Sequence, residues 1–393
     1  MMAKGDIYFE DINKAWDYIL QLEKAALYSD EFRKPPLITL YPPGIGYKVE
    51  PTIAYHNDFP EDAFIVNRVA SRDGRPIRYS LKPNMRHRKF LFRGQSKFYS
   101  PCTPSLFRES KLNYIGDILL VDEMSLLIKN HPLSKLLDRG VMLEGINFIF
   151  EMNTPGLAQH YYNKTPFIDL TSDIDDASFF ATTTYNGHTD TYTPVTDSED
   201  YGVLYYMDVD SQWGFQDFKG CQLSTIGLQI FPRSGVQRGF LQKMLIRQDF
   251  NNLPNVHWVY FKHNKAIAEN IFVKMDGGKK LFPSDILERH WRNRPNPMVV
   301  SKEALALNHQ KNKQTPIFLL KKQAMDFGYQ IKKYMPSFTP AELDEYYQDI
   351  KNGFWEEFCN KIYFAGKNGE KLKTAFLNIP NREEYKWAFL KKQ

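Results

Sequence analysis

An apolar run, Phe90-Leu91-Phe92, leads without a break into Arg93-Gly94-Gln95. Few arrangements accommodate that order. Three large apolar side chains in a row belong in a buried strand. The charge that follows is tolerated in an interior only when it is paired or bound to a ligand. Gly94 comes next, so the backbone can turn there or a second group can come close. An arginine at the end of a buried strand offers a planar fork of donors that fits a phosphate or a carboxylate. Arg93 is therefore either half of a structural ion pair or a clamp on an anionic ligand.

The flanking chain supplies the elements around that strand. Residues 11–28 place Ile12, Trp16, Ile19, Leu20 and Ala26 close to helical spacing. Helical patterns recur at 115–130 and 142–152, the second running on towards His160. Phe167-Ile168-Asp169-Leu170 reads as a short strand. Ser172 and Asp175 form a capping box that opens a helix through Ala177, Phe179 and Phe180. Apolar runs of β type lie at 202–209, 223–231, 239–246 and 256–262. The threonine-rich stretch 185–200 reads as a surface loop, and 33–62 as an irregular, aromatic connection before a turn at Asp73-Gly74. Arg86-His87-Arg88-Lys89 reads as a solvated lead-in to the strand rather than a nucleic-acid contact. Trp291–Pro297 reads as a linker, and the pattern after it is almost wholly helical. Thr339-Pro340-Ala341-Glu342 is a strong helix start within that tail. The chain thus divides into an N-terminal segment over 1–85, a mixed domain over 86–290 and a helical domain over 298–393.

Composition bounds the rest. The chain has 393 residues, 42% of them hydrophobic and 15% aromatic, enough to bury a sizeable core. Its net charge of +5, from 51 basic and 46 acidic residues, does not by itself call for a nucleic-acid partner. Cys102, Cys221 and Cys359 make no metal spacing, and an odd number argues against a disulfide framework. A reducing cytoplasm, no metal and no membrane span are expected. The chain contains no Gly-x-x-x-x-Gly-Lys loop, Gly-x-Ser-x-Gly elbow, His-Glu-x-x-His or Cys-x-x-Cys, which excludes the chemistry those motifs carry.

Several motifs line up in order. Phe92-Arg93-Gly94-Gln95 is followed by Pro104-Ser105-Leu106-Phe107-Arg108. Gln159-His160-Tyr161 precedes Thr165-Pro166-Phe167-Ile168-Asp169-Leu170-Thr171-Ser172 and then Ala177-Ser178-Phe179-Phe180-Ala181. Arg233 and Gln237-Arg238-Gly239-Phe240 close the series, with Leu281-Phe282-Pro283 beyond them. In order and spacing this series resembles the FRG-domain family, named for its Phe/Tyr-Arg-Gly signature. The resemblance covers roughly residues 86–290, about half of the chain.

FRG domains in turn resemble divergent members of the ADP-ribosyltransferase fold. The resemblance implies an α+β protein with an ADP-ribosyltransferase-like split β-sheet core that binds NAD in a cleft, here followed by the C-terminal helical domain. It implies an arginine on an early strand, a Ser-Thr-Ser-like strand and a late glutamate. Arg93 matches the first, Thr171 and Ser172 the second, and Gln237 the third, where the transferases mostly carry glutamate.

The residues agree with this in part. Arg93 can clamp a pyrophosphate bidentately. Thr171 and Ser172 lie at a strand-to-helix turn, where helix N–H groups and hydroxyls favour an anion; Ser172 also suits simple helix capping. His160 is either a satisfied core histidine or a donor to a ribose or nicotinamide amide. Asp169 suits a buried partner for Arg93. Gln237 can orient a ribose but adds no negative charge, a deficit of several kcal/mol by analogy with losing one preorganised electrostatic group. Asp169, Glu151 and Glu269 are candidate substitutes.

The leading expectation is NAD-linked chemistry, either ADP-ribosyl transfer to a macromolecule or NAD cleavage, in bacterial defence or toxicity. Arg93, Thr171, Ser172 and Gln237 would carry it, with Gln95, Gln159, His160 and Asp169 also on the nucleotide. The alternative is a non-catalytic module that binds a nucleotide or nucleic acid, its helical tail recognising a partner. A third reading makes all these motifs folding determinants.

Overall fold

The computed structural model describes residues 7–27, 60–69, 78–85, 88–108, 114–143, 146–196, 200–209, 217–218, 221–351 and 360–363. The sequence readings over 33–59, at Asp73-Gly74, at Arg86-His87, at Cys359 and beyond 363 lie outside the described residues.

The N-terminal segment holds β1 (Tyr8–Phe9), α1 (Ile12–Leu27), β2 (Phe64–Val69) and β3 (Arg78–Pro83). The Arg93 strand is β4 (Phe90–Gln95). After it come α2 (Tyr114–Asn130), α3 (Pro132–Arg139), β5 (Val141–Leu143) and β6 (Ile146–Phe150). Next are α4 (Thr154–His160), β7 (Phe167–Thr171), α5 (Ile174–Thr182) and a hairpin of β8 (Thr183–Asn186) and β9 (Thr191–Pro194). The chain continues through β10 (Tyr201–Asp208), β11 (Asp217–Phe218), β12 (Cys221–Thr225), α6 (Arg233–Val236), β13 (Gly239–Lys243) and β14 (Val256–Lys262). Helices α7 (Lys265–Lys274) and α8 (Ile286–Arg292) end this part. The C-terminal part has β15 (Val299–Ser301), α9 (Lys302–Lys311), α10 (Ile317–Asp326), β16 (Gln330–Lys332), α11 (Pro340–Lys351) and β17 (Ile362–Tyr363).

The fold is α+β and rests on two main sheets. One runs β1-β14-β10-β4-β7-β13-β12-β11, with β1 parallel to β14 and the other pairs antiparallel. The other runs β17-β2-β3-β6-β5 and is mixed. An isolated bridge between Leu81 and Leu228 links β3 to the chain after β12.

Strand alternation gives β4 two different faces. Phe90 and Phe92 pack with Trp16, Ile19, Ala177 and Ala181 beneath α1 and α5. Leu91 packs with Ile168, Leu170 and Tyr205 on the opposite face, the side to which Arg93 and Gln95 also belong. Gly94 returns to the helix side. A Cβ there would lie 1.8 Å from the carbonyl oxygen of Ala177 and 2.6 Å from the amide nitrogen of Ala181. Gly94 therefore lets α5 lie on β4, and within that strand it makes no turn.

The segments that flank the central domain in sequence are built into it. Glu23 of α1, buried, accepts from the amides of Lys89 and Phe90 at 2.7 and 3.0 Å and pairs with Arg88 at 3.0 Å, fixing the start of β4. Trp16 donates its indole N–H to Ser178 Oγ at 2.7 Å. At the other end, β17 pairs with β2. Glu123 of α2 accepts from the Ser301 amide and hydroxyl, and Asp122 from Asn308 and Lys311, so α9 is held on α2.

Four readings need correction. The helical pattern at 142–152 is instead the strands β5 and β6, and helix resumes only at α4. Phe148 and Phe150 are buried in alternation, and β6 pairs with both β3 and β5. A short apolar run suits either element, and here the pairing decides. The loop at 185–200 contains the β8–β9 hairpin. Trp291 is buried at the end of α8, with the Arg294 guanidinium stacked on its ring, so residues 291–294 are no free linker. In the tail, β15 and β16 form a small parallel sheet between helices, where the pattern indicates helix alone.

Candidate functional site

β4 and β7 meet at a single register pair, Phe92 with Thr171. Past it the ladder stops, and the sheet opens into a cleft of ≈ 2420 Å³. Because the cleft runs through the split, it takes side chains from both faces of the sheet: Arg93 and Gln95 from one, Asp169 and Thr171 from the other.

Arg93 spans the opening. Its Nη1 donates to the backbone carbonyl of Asp169 at 3.0 Å, and its Nε is buried without a hydrogen-bond partner among the described residues. The expected ion pair with the Asp169 carboxylate is not made; the bond goes instead to the main-chain carbonyl of that residue. Nearby, the Gln95 amide reaches Cys102 Sγ at 3.8 Å and leaves its own oxygen without a partner. Burial pushes the Cys102 thiol up, against an opposing pull from Arg93, so this cysteine is no ready thiolate. Arg108 also lines the cleft, its Nε on the Thr103 carbonyl at 3.0 Å. Its pKa is lowered by burial and by the Arg93 guanidinium. Two guanidinium groups thus act on each other here, and Arg93 has no carboxylate partner among the described residues.

Gln159, His160 and Gln237 line the same cleft. Gln159 is engaged, accepting from Thr165 Oγ1 and donating to the Phe167 carbonyl at 3.4 Å. Burial lowers the pKa of His160, opposed by Asp169, then lowered further by Arg233 and raised by a bond to Gln237. Gln237 donates to the Leu281 carbonyl at 2.9 Å. Thr171 Oγ1 donates to the Gln237 carbonyl at 2.8 Å and accepts from the Asp173 amide at 2.9 Å, so its hydroxyl is spent on the turn.

Ser172 is set apart from the others. It lies beside Glu61, Asn84, Arg88 and Arg238 in a separate small cavity, its hydroxyl buried without a partner among the described residues. The cap of α5 is Asp173, which accepts from the Asp175 amide at 2.8 Å, not Ser172. With Asp173, Asp175 and Asp176 at this helix start, the N-terminus already carries negative charge and does not suit an anion.

Residues 88–190 match the family profile of the FRG domain. This chain carries an FRG domain. The FRG match opens just before β4, takes in Arg93, His160 and Asp169, and ends in the β8–β9 turn, so Arg233 and Gln237 lie beyond it. No curated protein and no solved structure matches the chain.

The far end of the FRG cleft is a closed polar network. Arg233, 1% exposed, pairs with Glu288 at 2.6 Å and donates to the His160 carbonyl at 3.3 Å, beneath the rings of Tyr161 and Tyr162. Tyr161 donates to Asp285, whose carboxyl burial pushes up to about 6. Arg292 ties Asp190 of the hairpin to Tyr162 and Glu288. The sequence pointed to Arg233 but not to these partners. Arg108, at the end of Pro104-Ser105-Leu106-Phe107-Arg108, is the second cation of the cleft. Among the described residues no group of His, Cys, Asp or Glu is gathered closely enough to hold a metal, and no helix is long and apolar enough to cross a membrane.

Proposed function

We propose that the cleft of this FRG domain binds NAD and that the protein cleaves it or transfers its ADP-ribosyl group. The observation that carries this reading is Arg93: a half-buried guanidinium that has, among the described residues, no carboxylate partner and an unsatisfied Nε, in electrostatic contact with Arg108. Burying a charge without an anion is costly, and a pyrophosphate supplies both the missing charge and the fork of acceptors. The opening between β4 and β7 supports an ADP-ribosyltransferase-like arrangement of the sheet. The cleft exceeds the roughly 300–1,000 Å³ of an ordinary small-molecule pocket, so a dinucleotide leaves room for a second reactant. A cytoplasmic setting in bacterial defence or toxicity belongs to the same proposal; the free Cys102 is compatible with a reducing compartment.

A second reading has its own support. Gln237 occupies the position of the usual glutamate, and its amide is committed to Leu281. That favours a module that holds a nucleotide or nucleic acid without acting on it. Calorimetric titration with NAD, ADP-ribose and nicotinamide tests the site. ADP-ribose should bind about as well as NAD, and nicotinamide far more weakly, because the arginines engage the pyrophosphate. Failure of every nucleotide to bind would end the proposal. Labelled NAD incubated with the protein and a cell lysate then separates hydrolysis, transfer and inert binding.

A further inference from the structure

The proposed reaction lacks a carboxylate at Gln237, and the structure ranks the substitutes. Glu151 is exposed outside the cleft lining. Glu269 is exposed on α7, 3.8 Å from Lys265, and also outside the lining. Asp169 lies in the cleft, and its own carbonyl holds Arg93.

Asp169 Oδ1 lies 3.8 Å from His160 Nε2, and neither atom has a hydrogen-bond partner among the described residues. That separation is too long for a direct bond. It suits a third group placed about 2.8 Å from each. The state of the ring follows from its surroundings. Burial favours the neutral form of the ring. A neutral imidazole that donates through one nitrogen presents the other as an acceptor. With the ring proton on Nδ1, two acceptors, a carboxylate oxygen and Nε2, converge on one point. A ribose hydroxyl has one hydrogen and satisfies only one of them. A water has two, and keeps a lone pair for attack.

We infer that Asp169 and His160 hold a nucleophilic water, which makes the FRG cleft a hydrolase of NAD rather than a transferase to a macromolecule. The inference rests on the NAD reading above. The water oxygen bonds to the anomeric carbon of the nicotinamide-bearing ribose as the carbon–nitrogen bond breaks. The electron pair of that bond leaves with nicotinamide, which departs neutral. Asp169 takes the proton lost by the water and releases it to solvent, so the products are ADP-ribose, nicotinamide and one proton. Gln237 is then a positioning residue, acting through the His160 ring.

The test uses the full chain, the isosteric Asp169→Asn variant and His160→Gln. Wild type should release nicotinamide and free ADP-ribose from NAD with no added acceptor. Asp169→Asn should lose about 100-fold in kcat with little change in KM, the scale of a general base. Binding gives an independent readout, because the anomeric hydroxyl of ADP-ribose carries the oxygen of that water. ADP-ribose should bind Asp169→Asn about ten-fold more weakly than wild type, one charge-assisted hydrogen bond, whereas ADP should bind both alike. His160→Gln should lose kcat in the same direction, its unchanged melting temperature separating chemistry from folding. Full hydrolysis by Asp169→Asn, or transfer without hydrolysis by a wild type that binds NAD, overturns the water pair and leaves the binding site standing. A wild type that binds neither NAD nor ADP-ribose overturns both.

Discussion

The two ends of the cleft each present an arginine, and the two arginines are treated differently. Arg233 has a carboxylate at 2.6 Å, two backbone carbonyls and three aromatic rings around it. Among the described residues, Arg93 has one backbone carbonyl and an orphaned Nε, with Arg108 as a charged neighbour. Both sit in a lined cavity, so burial alone does not mark function. What distinguishes them is whether the fold itself completes the coordination of the charge. At Arg233 it does, and the residue is scaffold. At Arg93 the described residues leave it incomplete, and in the proposed function a ligand completes it.

The comparison is easiest to break at its strong end. Replacing Glu288 by alanine leaves Arg233 buried and uncompensated, which should cost about 3–5 kcal/mol of stability. A denaturant titration measures it, and an unchanged midpoint would mean that the Arg233 network is not scaffold. Asp285 belongs to the same network and gives it a pH signature. Burial raises its carboxyl from the ordinary 3.8 to about 6. Between those values the folded chain holds a proton that the unfolded chain has released. Stability should therefore fall as pH rises through that window, by about 2–3 kcal/mol, and level off above about 6. Asp285→Asn keeps an oxygen to cap α8 and should remove the decline; melts at acidic and neutral pH compare the two. On the Arg93 strand, Gly94→Ala should cost about 1–3 kcal/mol, because a methyl must push α5 off β4. Retained stability there would return the glycine to a ligand role. Ser172→Ala should change stability by no more than about 0.5 kcal/mol and leave nucleotide binding intact. Weakened binding would bring Ser172 back into the site.

Much of this organisation was legible in the residues. The apolar runs at 90–92, 167–170, 202–209, 239–246 and 256–262 each overlap a strand of the large sheet. The Ala177–Ala181 pattern marks the helix that covers it. Period-two alternation along β7 also carried more than a motif reading used. Ile168 and Leu170 go to one core, Asp169 and Thr171 to the cleft, and Ser172 falls past the end of the strand. What the residues could not disclose is pairing across long separations. Glu288 completes Arg233, and the Leu281 carbonyl takes the amide of Gln237. The switch from helix to strand at β5 and β6 likewise depends on β3, far away in sequence.

The central claim is that Arg93 is completed by a ligand. Calorimetric titration of ADP-ribose into wild type and Arg93→Lys, with thermal melts of both, tests it directly. Lysine keeps the charge but not the two parallel donors. The account predicts a loss of about 1–3 kcal/mol in binding with a nearly unchanged melting temperature. Unchanged binding together with a large drop in melting temperature would contradict it and make Arg93 scaffold like Arg233.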